Sequence, residues 1–172
     1  MTTNEIIINK MVINIGTGSD SQVQPNAKRL LEVITGRKPA DEISRKRNPS
    51  FKITKGQKIG AFVTLRGKAV APVLTRLLDA RNNKIPESSI SGNAVSFGIK
   101  EYIEISGLKY DPKIGMLGMN VNISFKRNGV RVAERKRQQA HVPEYHRAIQ
   151  KEEIATFLRE KFKVDTNEES AV

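Results

Sequence analysis

The chain has 172 residues, enough for one domain with a real core, and 38% of them are apolar. Its 30 Lys and Arg against 18 Asp and Glu give a net charge of +12, an excess that points to a polyanionic partner, nucleic acid ahead of an anionic membrane surface. Cysteine is absent, which excludes a disulfide framework, a thiolate nucleophile and a zinc–cysteine centre.

Residues 5–15, EIIINKMVINI, are rich in β-branched side chains and read as a first strand. The turn GTGSDS follows, with Ser and Asp suited to cap a helix. Pro25 fits a first helical turn, Ala27, Leu30, Leu31, Val33 and Ile34 recur at helical spacing, and Gly36 ends the helix. Residues 40–50 lack periodicity and read as a polar, cationic loop. A hairpin is predicted next, with arms at residues 51–54 and 59–66 about the bend KGQK. In its second arm Ile59, Ala61, Val63 and Leu65 face a core, while Phe62, Thr64 and Arg66 take the other side.

Val70, Val73, Leu74, Leu77 and Leu78 predict a helix over 68–81, with Pro72 tolerable only in its first turn. GNAVSFGIKEYIEI reads as one strand or two, and GLKYDPKIGMLG as a loop. Met119, Val121, Ile123 and Phe125 alternate with Asn120, Asn122 and Ser124, which predicts a strand with one polar face. Residues 127–147 have no clean apolar period, and a last helix over 149–162 carries Ile154, Phe157, Leu158 and Phe162 on one side. The end, TNEESAV, is expected to be disordered from about residue 166.

The order β-α-β-β-α-β-β-α lacks the regular alternation of a doubly wound sheet. An α+β fold is therefore expected: a mostly antiparallel sheet with helices packed on one face. The core domain would span residues 1–126. Residues 127–172 would form a basic extension and a C-terminal helix packed on the same domain. No apolar run nears the roughly 18 residues of a membrane span and no signal-like block opens the chain, so a cytoplasmic location is expected.

The charge is clustered. Residues 36–68 carry +8 and residues 126–147 carry +5. A charge kept for solubility would be spread more evenly, so two binding patches are the better reading. The first patch holds Arg37, Lys38, Arg45, Lys46, Arg47, Lys52, Lys55 and Lys58, and the second holds Arg127, Arg131, Arg135, Lys136 and Arg137. Phe51 and Phe62 stand between two uses, core packing or a stacking face for an unpaired base, with Phe51 the better stacking candidate.

Catalytic and cofactor motifs do not survive inspection. Gly16-Thr17-Gly18 opens like a dinucleotide fingerprint, but the third glycine position is Ser21 and only Asp41 and Glu42 could serve the ribose. His141 and His146 are five residues apart, the wrong spacing for a zinc helix. No cofactor, metal site or catalytic group is assigned. A nucleotide-using enzyme therefore lacks a visible acid–base pair. A free-standing RNA chaperone or general nucleic-acid-binding protein remains a rival, which equal affinity for duplex DNA would favour.

The runs VINIGTGSDS, ITGRKP, FKITKGQKIGAFVTLRG, GNAVSFGIKE and LKYDPKIGMLGMNV, in that order across about residues 5–125, closely resemble the large-subunit ribosomal protein L-five family. The added RVAERKRQQAHVPEYHR and helix resemble its archaeal and eukaryotic branch. The resemblance implies an antiparallel sheet flanked by helices and a place in the central protuberance of the large subunit. It implies binding to 5S rRNA and further contacts to large-subunit rRNA, beside neighbouring 5S-binding ribosomal proteins.

Carried onto this chain, the family's RNA-contacting positions fall on Asn14, Arg37, Phe51, Thr64 and Arg66, to which the adjacent Lys38 and Lys52 are added. The family often has glutamine after ITG. Arg37 keeps a donor there but loses the amide acceptor. The loop at 44–50, with Arg45, Lys46 and Arg47, resembles the segment that reaches the P-site tRNA. A bridge to the small-subunit head protein S-thirteen is implied without assigned residues. The second basic block would meet other rRNA and fold on binding.

Overall fold

Strand β1, Ile6–Gly16, lies at the centre of the fold and pairs antiparallel with a strand on each side. A computed structural model describes residues 5–20 and 22–166. The expected disordered end, apart from Thr166, lies outside the described residues. Met11, Ile13 and Ile15 of β1 are fully buried, and each such side chain contributes about 1.5–3 kcal/mol by leaving water. The register slips at Asn9, between Ile8 and Lys10. That extra residue lets Ile6 and Ile8 join the same core as Met11, Ile13 and Ile15, although plain alternation would put them on the opposite face.

The remaining elements follow in chain order: α1 (Val23–Thr35), β2 (Ala40–Ile43), β3 (Lys58–Leu65), α2 (Val70–Asp79), β4 (Ile90–Ser91), β5 (Ala94–Ile99), β6 (Met119–Arg127), the single-turn helices α3 (Arg131–Glu134) and α4 (Glu144–Arg147), and α5 (Lys151–Phe162). The sheet order is β2-β3-β1-β6-β5-β4, with every neighbouring pair antiparallel. Helices α1, α2 and α5 supply Leu31, Leu74 and Leu158 to one core with Val63, Val121 and Phe125 of the sheet. The α+β class, with helices on one face, is as expected.

Helix α1 begins at Val23, and its first residue is preceded by Gln22, which makes no side-chain cap. The cap position thus falls on Gln22 rather than on Ser19 or Asp20. The helix closes as expected: Gly36 is left-handed at φ 63°, and its N–H donates to the Glu32 carbonyl at 2.8 Å. Arg76 of α2 donates from Nη2 to the Ile34 carbonyl at 2.8 Å, which joins the two helices at that end. In α2 the buried set is Val70, Val73, Leu74, Leu77 and Leu78, and Pro72 sits in the first turn, where its missing N–H has no helical partner to lose.

Two local expectations need correction. The partner of β3 is β2, not residues 51–54. Its alternation is hidden because Asp41, on the helix side, is a carboxylate made tolerable by Lys28, by Lys58 at 3.1 Å and by the Gln24 amide at 2.9 Å. Residues 44–57 instead form a finger, closed by Ser44–Gln57 and Asn48–Ile53 backbone pairs with a short turn at Pro49–Phe51. The second correction concerns EYIEI: strand β5 ends at Ile99, and Tyr102–Glu104 is a helical turn that buries Tyr102 and Ile105, three residues apart.

Helix α5 is fixed at its start by a reciprocal cap. The Gln150 N–H donates to Glu153 Oε2 at 3.0 Å while the Gln150 side chain accepts from the Glu153 backbone. Phe157 meets Phe125 edge-on at 5.7 Å. Beyond the helix, Asp165 exchanges backbone hydrogen bonds with Asn83 and Ile85, so the chain returns to the end of α2.

Candidate nucleic-acid interface

Because the helices occupy one face of the sheet, alternation leaves the other face open. Its rows follow from the register. One row runs Ala40, Phe62, Asn14, Asn120, Gly98 across β2, β3, β1, β6 and β5. The next runs Thr64, Val12, Asn122, Ser96. Lys10 and Ser124 start a third, and Arg66 continues β3 one residue past the Met11–Leu65 pair, on the side of Lys10.

The middle of this face thus holds amides and hydroxyls, each able to donate and accept. Cations stand at its margin, with Lys10 and Arg66 exposed. Glu42 is the carboxylate beside the first row, lying near Gly60. Asn14 Oδ1 is covered and has no hydrogen-bond donor among the described residues.

The sequence-predicted residues fall into four places. Asn14, Thr64 and Arg66 share the open face. Arg37 and Lys38 are exposed in the link between α1 and β2, where the Arg37 N–H donates to Thr35 Oγ1 at 3.3 Å. Arg45, Lys46, Arg47, Phe51 and Lys52 belong to the finger, away from the rows of the sheet. Phe51 is 68% exposed at the finger's tip, and Lys52 beside it is left-handed at φ 55°. Among the described residues Phe51 is no member of the core.

The extension contributes Arg131, Arg135, Lys136 and Arg137, all exposed, with Arg135 Nε donating to the Gln138 carbonyl at 2.7 Å. Arg127 is set apart from them. Its Nη2 donates to both Glu153 oxygens, at 3.0 and 2.8 Å, and its Nε to the Ala148 carbonyl at 3.2 Å. That guanidinium ties the end of β6 to the start of α5. The Glu153 carboxyl is held below its ordinary 4.5, first by the Gln150 backbone N–H and then by Arg127.

Lys58 of the first basic block is likewise engaged. Lys28 and then Lys58 hold the Asp41 carboxyl below its ordinary 3.8. Asn120, Asn122 and Ser96 were visible in the sequence only as polar strand positions. Strand order is what sets them beside Asn14.

Among the described residues no group of His, Asp and Glu could hold a metal ion, and no helix is long and apolar enough to cross a membrane. The fold defines an α+β protein whose six-stranded antiparallel sheet carries helices on one face and polar strand positions on the other. Residues 58–157 match the C-terminal region of the ribosomal protein L-five family. The chain is 43% identical to the large ribosomal subunit protein uL5 of Sulfurisphaera tokodaii, over 91% of this chain and 89% of that protein. It is 42% identical to uL5 of Aeropyrum pernix, over 90% and 81%, and 36% identical to uL5 of Methanoregula boonei, over 94% and 98%. The chain belongs to the uL5 family of large ribosomal subunit proteins.

Proposed function

We propose that this protein is a structural, noncatalytic component of the large ribosomal subunit that binds 5S rRNA through the open face of its sheet. The observation that carries the reading is that face: paired strands hold Asn14 and Thr64 among further amides and hydroxyls, and Arg66 stands at the margin. Amides and hydroxyls read base edges or the ribose 2′-hydroxyl, and a guanidinium grips phosphate in a fork. A sheet already folded before binding loses less ordering entropy than flexible arms do.

In this reading Arg37 and Lys38 extend the 5S contact from the exposed link. Residues 1–126 form the RNA-binding core, and Arg131, Arg135, Lys136 and Arg137 of the extension meet large-subunit rRNA. Phe51 and Lys52 of the finger add to the 5S contact, while its Arg45, Lys46 and Arg47 reach the P-site tRNA backbone without reading sequence. The assembled protein sits in the central protuberance of cytoplasmic ribosomes. It lies beside the other 5S-binding proteins and bridges to the small-subunit head protein S-thirteen.

Competition between 5S RNA and duplex DNA of equal length, at several salt concentrations, tests the reading. The expected result is a preference for 5S RNA that persists as salt rises. Equal affinity throughout would mean a general nucleic-acid binder instead.

A further inference from the structure

One aromatic ring on the open face has no evident structural purpose. Phe62 points away from the core that Ala61 and Val63 enter, and it is half-buried among Ala40 and Asn14, its partners in the register. A phenylalanine on the solvent side of a sheet gains little from burial there, and a methyl-sized neighbour leaves its ring accessible. Past Asn14 the same row continues to Asn120 and ends at Gly98, which has no side chain. A Cβ at Gly98 would lie 3.3 Å from Asn120 Oδ1, so the Asn120 amide lies across the space the glycine leaves. Asn122, in the next row, is exposed opposite Ser96.

Two strand steps separate Phe62 from Asn120, about 10 Å at the usual strand spacing. A base stacked on the ring would turn its edge along the row toward the amides. The chemistry favours RNA over a protein partner. An apolar protein surface would leave these amides unpaired, at a cost for each, whereas base edges carry donors and acceptors to match them.

We propose that the RNA-reading surface continues beyond β1 across β6 and β5, with Phe62 as the stacking platform for an unpaired base and Asn120 and Asn122 as readers of base edges. The inference rests on the open face being the one that binds 5S RNA. Because none of the three is charged, their removal weakens binding without releasing fewer counterions, unlike the loss of a cation.

The test measures 5S RNA affinity of Phe62→Leu and of the double variant Asn120→Ala/Asn122→Ala across a salt series, with circular dichroism and Tm to confirm folding. Leucine keeps apolar volume at position 62, and the two asparagines are exposed, so both proteins fold. Phe62→Leu is expected to lose roughly five- to hundredfold in affinity, the range of one stacked base, and the double variant roughly tenfold or more, as for lost base contacts. Neither should change the slope of log affinity against log salt. Arg66→Ala, measured beside them, should lower that slope by about 1. Unchanged affinity in either variant, or a changed slope, overturns the assignment of the residues it removes. Failure of the unsubstituted protein to prefer 5S RNA overturns the proposed function itself, and is a separate result.

Discussion

Gly60 of β3 faces Gly16 across the strand pair, and a Cβ placed on it would fall 2.6 Å from the Ile15 carbonyl oxygen. Backbone, unlike a side-chain tip, cannot swing away. Gly60→Ala should therefore destabilise the fold by about 1–3 kcal/mol, the usual cost of overpacking, read as a lower denaturant midpoint at constant m. Thr64 lies further along the same strand and Arg66 just past its end, both on the open face. Thr64→Ala with Arg66→Ala should weaken 5S binding while leaving Tm and the circular dichroism spectrum in place. An affinity equal to the parent's would remove this end of the face from the interface. The two experiments separate what the strand does for the fold from what it presents to RNA.

Among the elements, α5 depends on one carboxylate shared between its own first turn and the end of the sheet. Glu153 accepts from the Gln150 N–H and from Arg127, and its folded pKa is depressed. A depressed carboxylate stabilises the fold at pH above its unfolded value, 4.5, and that contribution is lost as pH falls through the lower folded value. Glu153→Gln should cost about 1 kcal/mol at neutral pH, from a weakened cap and a partly screened ion pair. It should also flatten the fall in stability below about pH 4.5, measured by chemical denaturation across pH.

The finger is the opposite kind of element, closed by its own backbone pairs and carrying exposed cations and Phe51. Replacing Arg45, Lys46 and Arg47 together by Ser should spare 5S affinity but impair translation by ribosomes that contain the variant. Loss of 5S binding itself would place these three cations, and not only Phe51 and Lys52, in the 5S site.

Considered whole, the molecule segregates its labour by face. Helices α1, α2 and α5 and their apolar stripes take one side of the sheet, and polar chemistry keeps the other. The net +12 is partly spent within the chain: Lys28 and Lys58 neutralise Asp41, Lys126 lies 3.3 Å from Glu134, and Arg127 holds Glu153. In the proposed function, the cations that remain outward set the salt response. If about 6–10 phosphates are neutralised, 5S affinity should fall by roughly 10³–10⁵ between about 50 and 200 mM salt, taking the duplex-DNA magnitude as a guide. A filter-binding or calorimetric series reads the slope directly, and a nearly flat response would rule out phosphate neutralisation as a main source of affinity.

Local order along the chain decided much of this structure. Alternation in β3 and β6 and the helical spacing in α2 determine which side chains meet the core, because a period of 2 or 3.6 residues leaves only one face to bury. Asn14, Thr64 and Arg66 could be nominated from sequence because family motifs surround them and because their strands alternate. Other features were decided only by tertiary structure. Strand β2 is invisible locally, since Asp41 occupies an inward position that only Lys28, Lys58 and Gln24 make acceptable. Arg127 looks like any other member of a basic run until Glu153, 26 residues away, closes on it. Neighbourhood on the open face, Phe62 beside Asn14 beside Asn120, is a matter of strand order. Strand order comes from long-range pairing, which no local period encodes.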